Sequence, residues 1–211
     1  MPKVARSDDE INVVRGKMLD EALDLIREYG YEGFSMRKLG HRLGIAAKTI
    51  YNYFKNKDEI YLHVLTKGFE LLFEAVTTKS SHIKDPFKRL EAATVAFLDF
   101  GLKKSNYYDI MLTWYVPKYN DFIKTPLEPL AYKELQTALQ TADYITKIIE
   151  DLSMKSGRLE PGKARLLFIQ WLACIHGTIA LYNNSILSYV HDQPETILKK
   201  LALNNLQRFR P

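Results

Sequence analysis

The chain has 211 residues, 46% of them apolar, with 30 lysines and arginines against 25 aspartates and glutamates. Such an apolar share supports a proper core and excludes disorder, and one cysteine excludes a disulfide framework and fits a reducing cytoplasm. The N-terminal MPKVARSDDE lacks an apolar h-region and no run approaches about 18 uninterrupted apolar residues, so neither a signal peptide nor a membrane span is expected.

Taken in chain order, Ser7-Asp8-Asp9-Glu10 reads as a capping box that opens a first helix. Its apolar face is Ile11, Val14, Met18, Ala22, Leu25 and Ile26, and it stops at Tyr29-Gly30, with Lys3 and Arg6 just ahead of it. The next stretch, Ser35 to Lys57, holds Arg37, Lys38, Arg42, Lys48, Lys55 and Lys57 and no acidic residue. Without those six the chain has fewer basic than acidic residues, so the whole positive excess sits here. Charge localised in this way is the footprint of a surface that meets a polyanion, because each neutralised phosphate releases condensed counterions.

The spacing inside the stretch predicts two short helices. Ser35 is a good N-cap, Met36, Leu39 and Leu43 share one helix face, and Gly44 supplies the left-handed residue that ends it. Ile45, Ile50 and Phe54 mark a second inward face, over a helix from about Ala46 to Tyr53. At about 100° per residue, Lys48 and Asn52 then point nearly opposite the core, flanked by Thr49 and Tyr51. Two short helices joined by a tight glycine turn make a helix-turn-helix. Gly40, in mid-helix, fits a close helix approach.

Asn56 and Glu59 cap a fourth helix to about Thr78, with Ile60, Val64, Leu65, Leu72 and Val76 inward. After a polar break at Ser80 to Lys84, Pro86 begins a helix to about Lys104, followed by a shorter one over 105–115. Pro117, Pro126 and Pro129 bound an irregular segment, since proline cannot continue a helix interior. Leu130 to Ser156 reads as a long helix closed by Gly157. Pro161 and Pro194 each open a further helix, ending near Ser188 and Arg208. No alternating strand pattern or repeat occurs, so the expected architecture is all-α.

The run Gly33-Phe34-Ser35, Leu39, Leu43-Gly44-Ile45, Lys48 to Phe54 and Lys57-Asp58-Glu59-Ile60 resembles the DNA-binding domain of the Tet repressor (TetR) family over roughly residues 11–70. Two positions depart from the family pattern: Ala46 stands where a capping Ser or Thr is frequent, and Gly40 where Ala is usual. The resemblance implies a three-helix helix-turn-helix domain over residues 1–57 and a helical ligand-binding and dimerisation domain over 58–211. It further implies that Arg37, Ala47, Lys48 and Thr49 face bases, while Ser35, Tyr51, Tyr53 and Lys57 hold phosphates, with Asn52 on the same outward face.

In the C-terminal part, Tyr107, Tyr108, Trp114, Tyr115, Tyr119 and Phe122 crowd a short span. They read either as core packing or as the wall of a small-molecule cavity. The resemblance to a family that often holds an inducer makes Trp114, Tyr115, Trp171, His176 and Tyr182 candidate ligand contacts. His176 alone would otherwise read as a satisfied core histidine, and Trp171 with His176-Gly177 is similar to a C-terminal subtype of the family. Cys174, in an apolar run, reads as a buried inert thiol rather than a nucleophile. The last helix, with Ile197, Leu198, Leu201, Ala202 and Leu206 on one stripe, and Leu181 with Ile186 or Leu187 before it, forms either a dimer interface or the monomer's own core.

There is no glycine-rich phosphate loop, no HExxH, no CxxC and no G-x-S-x-G elbow, and the five histidines lack metal-ligand spacing. No catalytic residue, metal or cofactor is therefore expected. The reading is a cytoplasmic, dimeric DNA-binding transcriptional regulator: a ligand-responsive repressor of a near-palindromic operator, with a small-molecule effector and no membrane partner. Its rivals are a soluble helical ligand- or partner-binding protein whose basic segment is merely solvated, and an activator or chromosome-organising member of the same family.

Overall fold

The structure, a computed structural model, describes residues 7–156 and 162–209. Lys3, Arg6, Gly157 and Pro161 lie outside the described residues. Those described fold into helices and turns with no strand among them. Their contacts form two units, one running to Lys67 and including Trp114–Leu135, the other made of Gly68–Thr113 and the residues from Gln136 onward. Helices α4 and α7, defined below, contribute residues to both.

In the first unit, α1 (Asp8–Gly33) begins at the expected capping box: Ser7 N–H donates to Glu10 Oε2 at 2.9 Å, and Glu10 N–H donates to Ser7 Oγ at 3.3 Å. Gly30 interrupts the helix at φ 70°, ψ 169°, a conformation open to glycine, and Phe34 caps the end. Helices α2 (Met36–Leu43) and α3 (Ala47–Ile50) follow, and α4 (Lys57–Ser80) starts behind Asn56, whose Oδ1 accepts from Glu59 N–H at 2.8 Å. Met18, Ala22, Leu25, Ile26, Phe34, Leu39, Ile50, Phe54, Ile60 and Val64 are all buried. Apolar residues at helical spacing on four elements thus close one core.

The same unit holds the segment 114–127 and the start of α7 (Glu128–Ser156). Val116 and Phe122 are buried, Tyr119–Phe122 is a 3-10 turn, and Tyr61 O–H donates to the Pro117 carbonyl at 2.9 Å. Pro129 lies inside the first turn of α7 rather than before it. A proline is tolerated there because the first helical N–H groups have no acceptor in any case.

In the second unit, α5 (Pro86–Lys103) is capped by Asp85 and carries Pro86 in its first turn. The expected helix over 105–115 is shorter: α6 (Ser105–Tyr108) passes into a π-helical turn at Asp109–Thr113. Here Tyr107 and Met111 crowd Gly68 of α4, where an added Cβ would lie 2.5 Å from Met111 Sδ. Helix α8 (Ala164–Asn183) packs on α5 at Gly101, where Ile179 takes the space of the missing side chain and Asn183 Nδ2 donates to the Gly101 carbonyl at 3.1 Å. Helix α9 (Pro194–Asn204) ends in a 3-10 turn, Asn205–Phe209, and Leu198, Ala202 and Leu206 are buried within this unit.

Helix α8 is apolar on nearly every side. Ala164, Phe168, Trp171, Ile175 and Ile179 face inward, whereas Leu166, Ile169, Ala173 and Leu181 are exposed. Cys174 belongs to the exposed set. The buried thiol expected from the sequence is therefore corrected, because composition could not say which face of an all-apolar helix turns inward. By length and composition alone this is also the one described helix able to cross a membrane, with a mean hydropathy of 1.5, although its polar Arg165, Gln170, His176 and Asn183 interrupt the run.

Candidate nucleic-acid interface

Ser35 Oγ accepts from Lys38 N–H at 3.3 Å and so fixes the start of α2, and Gly44 ends it in the left-handed region at φ 66°. The turn between α2 and α3 is drawn tight against Gly40: a Cβ there would stand 2.8 Å from the Ile45 carbonyl oxygen and 3.1 Å from Ala47 N. Ala46 has the extended backbone of an N-cap but no side-chain bond to offer, so α3 begins uncapped. Its single turn runs on as a turn through Tyr53, where Tyr51 N–H bonds to the Ala47 carbonyl and Phe54 N–H to that of Ile50. Ile50 and Phe54 point into the core.

The predicted residues lie on α3 and on the segments that flank it, from the cap of α2 to the start of α4. Arg37, Lys48, Tyr51 and Asn52 are exposed, and Ser35, Ala47, Thr49, Tyr53 and Lys57 are half-buried around them. The six cations of the segment divide in two. Arg42 is held by Glu28 at 2.6 Å and Glu21 at 3.9 Å; Lys38 lies 4.1 Å over the Tyr29 ring and donates to the Gly33 carbonyl. Lys57 sits 4.3 Å over the Tyr31 ring and 3.5 Å from Glu32. Arg37, Lys48 and Lys55 make no ion pair among the described residues. Three exposed cations without an ion pair, and the exposed Tyr51, leave this side of the helix-turn-helix with positive charge that attracts phosphate.

Behind this surface lies a group of residues that periodicity missed. Arg15 of α1 donates from Nη1 to the Tyr53 carbonyl at 2.6 Å and approaches His63 Nε2 at 3.3 Å. Burial, then the Arg15 charge, holds the His63 imidazolium below its ordinary pKa. Nearby, Tyr31 O–H donates to Asp58 at 2.6 Å, and burial raises the hydroxyl pKa of both Tyr31 and Tyr61. Glu134 of α7 is buried beside them, and desolvation pushes its carboxyl up to about 7, opposed by Lys118. The only signal for these groups in the sequence is a lone charged residue at or near an inward helix position.

The candidate ligand residues are divided between the two units. Trp114 is half-buried and Tyr115 fully exposed in the first. In the second, buried Trp171 donates its indole N–H to Thr94 Oγ1 at 2.9 Å and packs on Phe97 and Phe168. His176 Nδ1 lies 2.9 Å from the Tyr108 hydroxyl with the rings stacked, and Tyr182 O–H reaches Glu195 at 3.5 Å. A cleft of about 400 Å³ opens between α4 and α5, floored by Leu71, Ala75, Ala96 and Phe100. Thr141 of α7 is buried, and its hydroxyl finds no hydrogen-bond partner.

Residues 18–64 match the family model for bacterial regulatory proteins of the tetR family. Over those residues the chain carries a tetR-family DNA-binding domain. It is 27% identical over 159 residues to the HTH-type transcriptional activator FasR of Mycolicibacterium smegmatis, covering 75% of this chain and 67% of the relative. The HTH-type transcriptional repressor Rv1474c of Mycobacterium tuberculosis is 34% identical over 70 residues, 33% of this chain and 36% of the relative. The transcriptional regulator FadR of Bacillus subtilis, solved in complex with stearoyl-CoA, shares this chain's fold. It superposes with a TM-score of 0.63 at 20% identity, covering 92% of this chain and 96% of that one. The chain is a DNA-binding transcriptional regulator with a tetR-family domain.

Proposed function

We propose that the protein is a cytoplasmic repressor that binds a near-palindromic operator as a homodimer and releases it when an apolar small molecule binds. The observation that carries the reading is the exposed side of the helix-turn-helix, where Arg37 of α2, Lys48 of α3 and Lys55 after it make no ion pair among the described residues. In this reading residues 1–57 bind DNA, with Arg37, Ala47, Lys48 and Thr49 toward bases, Ser35, Tyr51, Tyr53 and Lys57 on phosphates, and Asn52 on the same outward face. Residues 58–211 bind effector and pair the protomers. The exposed apolar strip of α8, Leu166, Ile169, Ala173 and Leu181, supports pairing, since twofold dimers read half-sites a helical turn or its multiples apart.

An effector is supported by the unpartnered Thr141 hydroxyl, because a buried polar group without a partner is costly and a ligand can satisfy it. The stearoyl-CoA bound by FadR makes an acyl thioester the first effector to try, and Trp171, His176 and Tyr182, which share one unit, are its candidate contacts. Helix α4 runs from Lys57 to Ser80, so a tilt of this one element would carry a ligand signal to the recognition helices. The coupling is expected at roughly 1–3 kcal/mol, about 5–150-fold in operator affinity, and DNA must weaken the ligand equally. A footprint on DNA flanking the protein's own gene, with calorimetry of stearoyl-CoA on free and operator-bound protein, tests both parts. No footprint refutes the regulator, and equal ligand affinities refute the inducer. Activation is a second reading, favoured by the match to FasR over 75% of the chain. A reporter whose transcription falls on deleting the gene would select it.

A further inference from the structure

Helix α3 needs something to hold it in register. It is one turn long, starts at an uncapped Ala46, and is too short to form on its own. Ile50 and Phe54 bury its inner side, but burial is non-directional and does not fix how far the element rolls about that contact. A hydrogen bond to a carbonyl at its exit does, because such bonds are directional.

Arg15 makes that bond. Its Nη1 donates to the Tyr53 carbonyl at 2.6 Å, its Nη2 lies 3.3 Å from His63 Nε2, and its guanidinium carbon stands 4.3 Å from the Phe54 ring centre. The Phe54 ring meets His63 edge-on at 5.8 Å. One planar fork from α1 therefore touches the exit of α3 and the body of α4 together. Arg15 has no carboxylate partner among the described residues, so it is not a salt-bridge strut; its partners are a carbonyl, an imidazole and a ring. A lysine keeps the charge but cannot reproduce the fork.

We propose that Arg15 is a positioning residue for DNA recognition, anchored on His63 and fixing the roll of α3 through the Tyr53 carbonyl, so that Lys48, Thr49 and Tyr51 meet the operator together. The inference rests on the reading of this helix-turn-helix as the DNA-binding element. Arg15 touches no base; it acts through α3. His63 accepts from Arg15 only through an unprotonated Nε2. The charged groups facing His63 are Arg15 from α1, Glu59 one turn earlier on α4, and Lys133 from α7. Acid therefore unseats Arg15 by placing a second cation against it.

The test uses the full-length protein and a duplex that the wild type selects from a random pool. Because His63 is held below its ordinary value of 6.5, affinity for that duplex and for unselected DNA is measured from about pH 4 to 8 for wild type, Arg15→Lys and His63→Gln, alongside thermal unfolding. Arg15→Lys is expected to lose about tenfold or more on the selected duplex while unselected binding holds. Wild type loses selected binding in acid, and His63→Gln, neutral throughout, removes that loss. The inference is overturned if Arg15→Lys keeps the wild-type ratio of selected to unselected affinity, if both affinities fall together with the folded fraction, or if His63→Gln retains the wild-type pH profile. A wild type that selects no duplex refutes the regulator reading and this inference with it; one that selects a duplex bound equally by Arg15→Lys refutes this inference alone.

Discussion

Lys57 and Arg37 carry the same charge, yet their loss is expected to be felt differently. Lys57 opens α4 and is held over Tyr31 with Glu32 3.5 Å away, and its proposed partner is a phosphate. Lys57→Ala should weaken binding to every sequence alike and flatten the salt dependence by about one unit. Arg37→Ala should cost roughly 1–3 kcal/mol at one base position and leave the others as they were. Affinity titrations over a salt series and a set of single-base operator variants check both, and two unchanged variants would sink the assignment. Glu134 offers a stability test. Its carboxyl is raised from 4.5 to about 7, so its contribution is full below 4.5 and is lost as pH rises through about 7. By linkage that is roughly 3 kcal/mol at most. The wild-type unfolding midpoint should fall between about pH 5 and 8 relative to Glu134→Gln, in which this titration is absent; parallel curves would discount the burial argument. The cations near α3 were legible because they cluster in 23 consecutive residues with no acid between them. Arg15 and Glu134 were not, because each depends on partners brought together from distant parts of the chain.

At the scale of elements, the turn between α2 and α3 invites two opposite changes. Ala46 already has the backbone of an N-cap, φ −66° and ψ 141°, so Ala46→Ser adds a bond without moving the chain and should stabilise by about 1 kcal/mol. Gly40→Ala gains roughly 1 kcal/mol of helix propensity but sets a methyl 2.8 Å from the Ile45 carbonyl oxygen. That neighbour is backbone, so the turn must open, and the expected result is a net loss of stability together with weaker operator binding. Calorimetric unfolding of the two variants decides; a stabilised Gly40→Ala would mean the turn yields without cost. Periodicity and caps located Ser35, Gly44 and Asn56 because each acts on its own neighbours in sequence. The π-helical turn at Asp109–Thr113 escaped the same reading, since its Tyr107 and Met111 answer to Gly68, some forty residues earlier on another helix.

For the whole molecule, the exposed strip of α8 carries the expectation of a dimer. Ile169→Glu places a charge on it without touching the buried face and should yield monomers at micromolar concentration with much weakened operator binding. Sedimentation velocity reads the mass, and a variant that remains dimeric would move the interface elsewhere. The stripe read on α9 divides in the structure: Leu198, Ala202 and Leu206 close their own unit, and Leu201 remains exposed. An apolar pattern marks burial but not which chain supplies the cover. Cys174 stands among the exposed residues of α8 and is the protein's only cysteine. The molecule thus carries its own gauge of assembly. With the proposed pairing on α8, a thiol reagent is expected to reach Cys174 quickly on a lone protomer and slowly once a second copy covers it, so the alkylation rate followed against protein concentration would give the dissociation constant without an added label. Operator DNA, by holding two protomers together in the proposed dimer, is expected to slow that rate further.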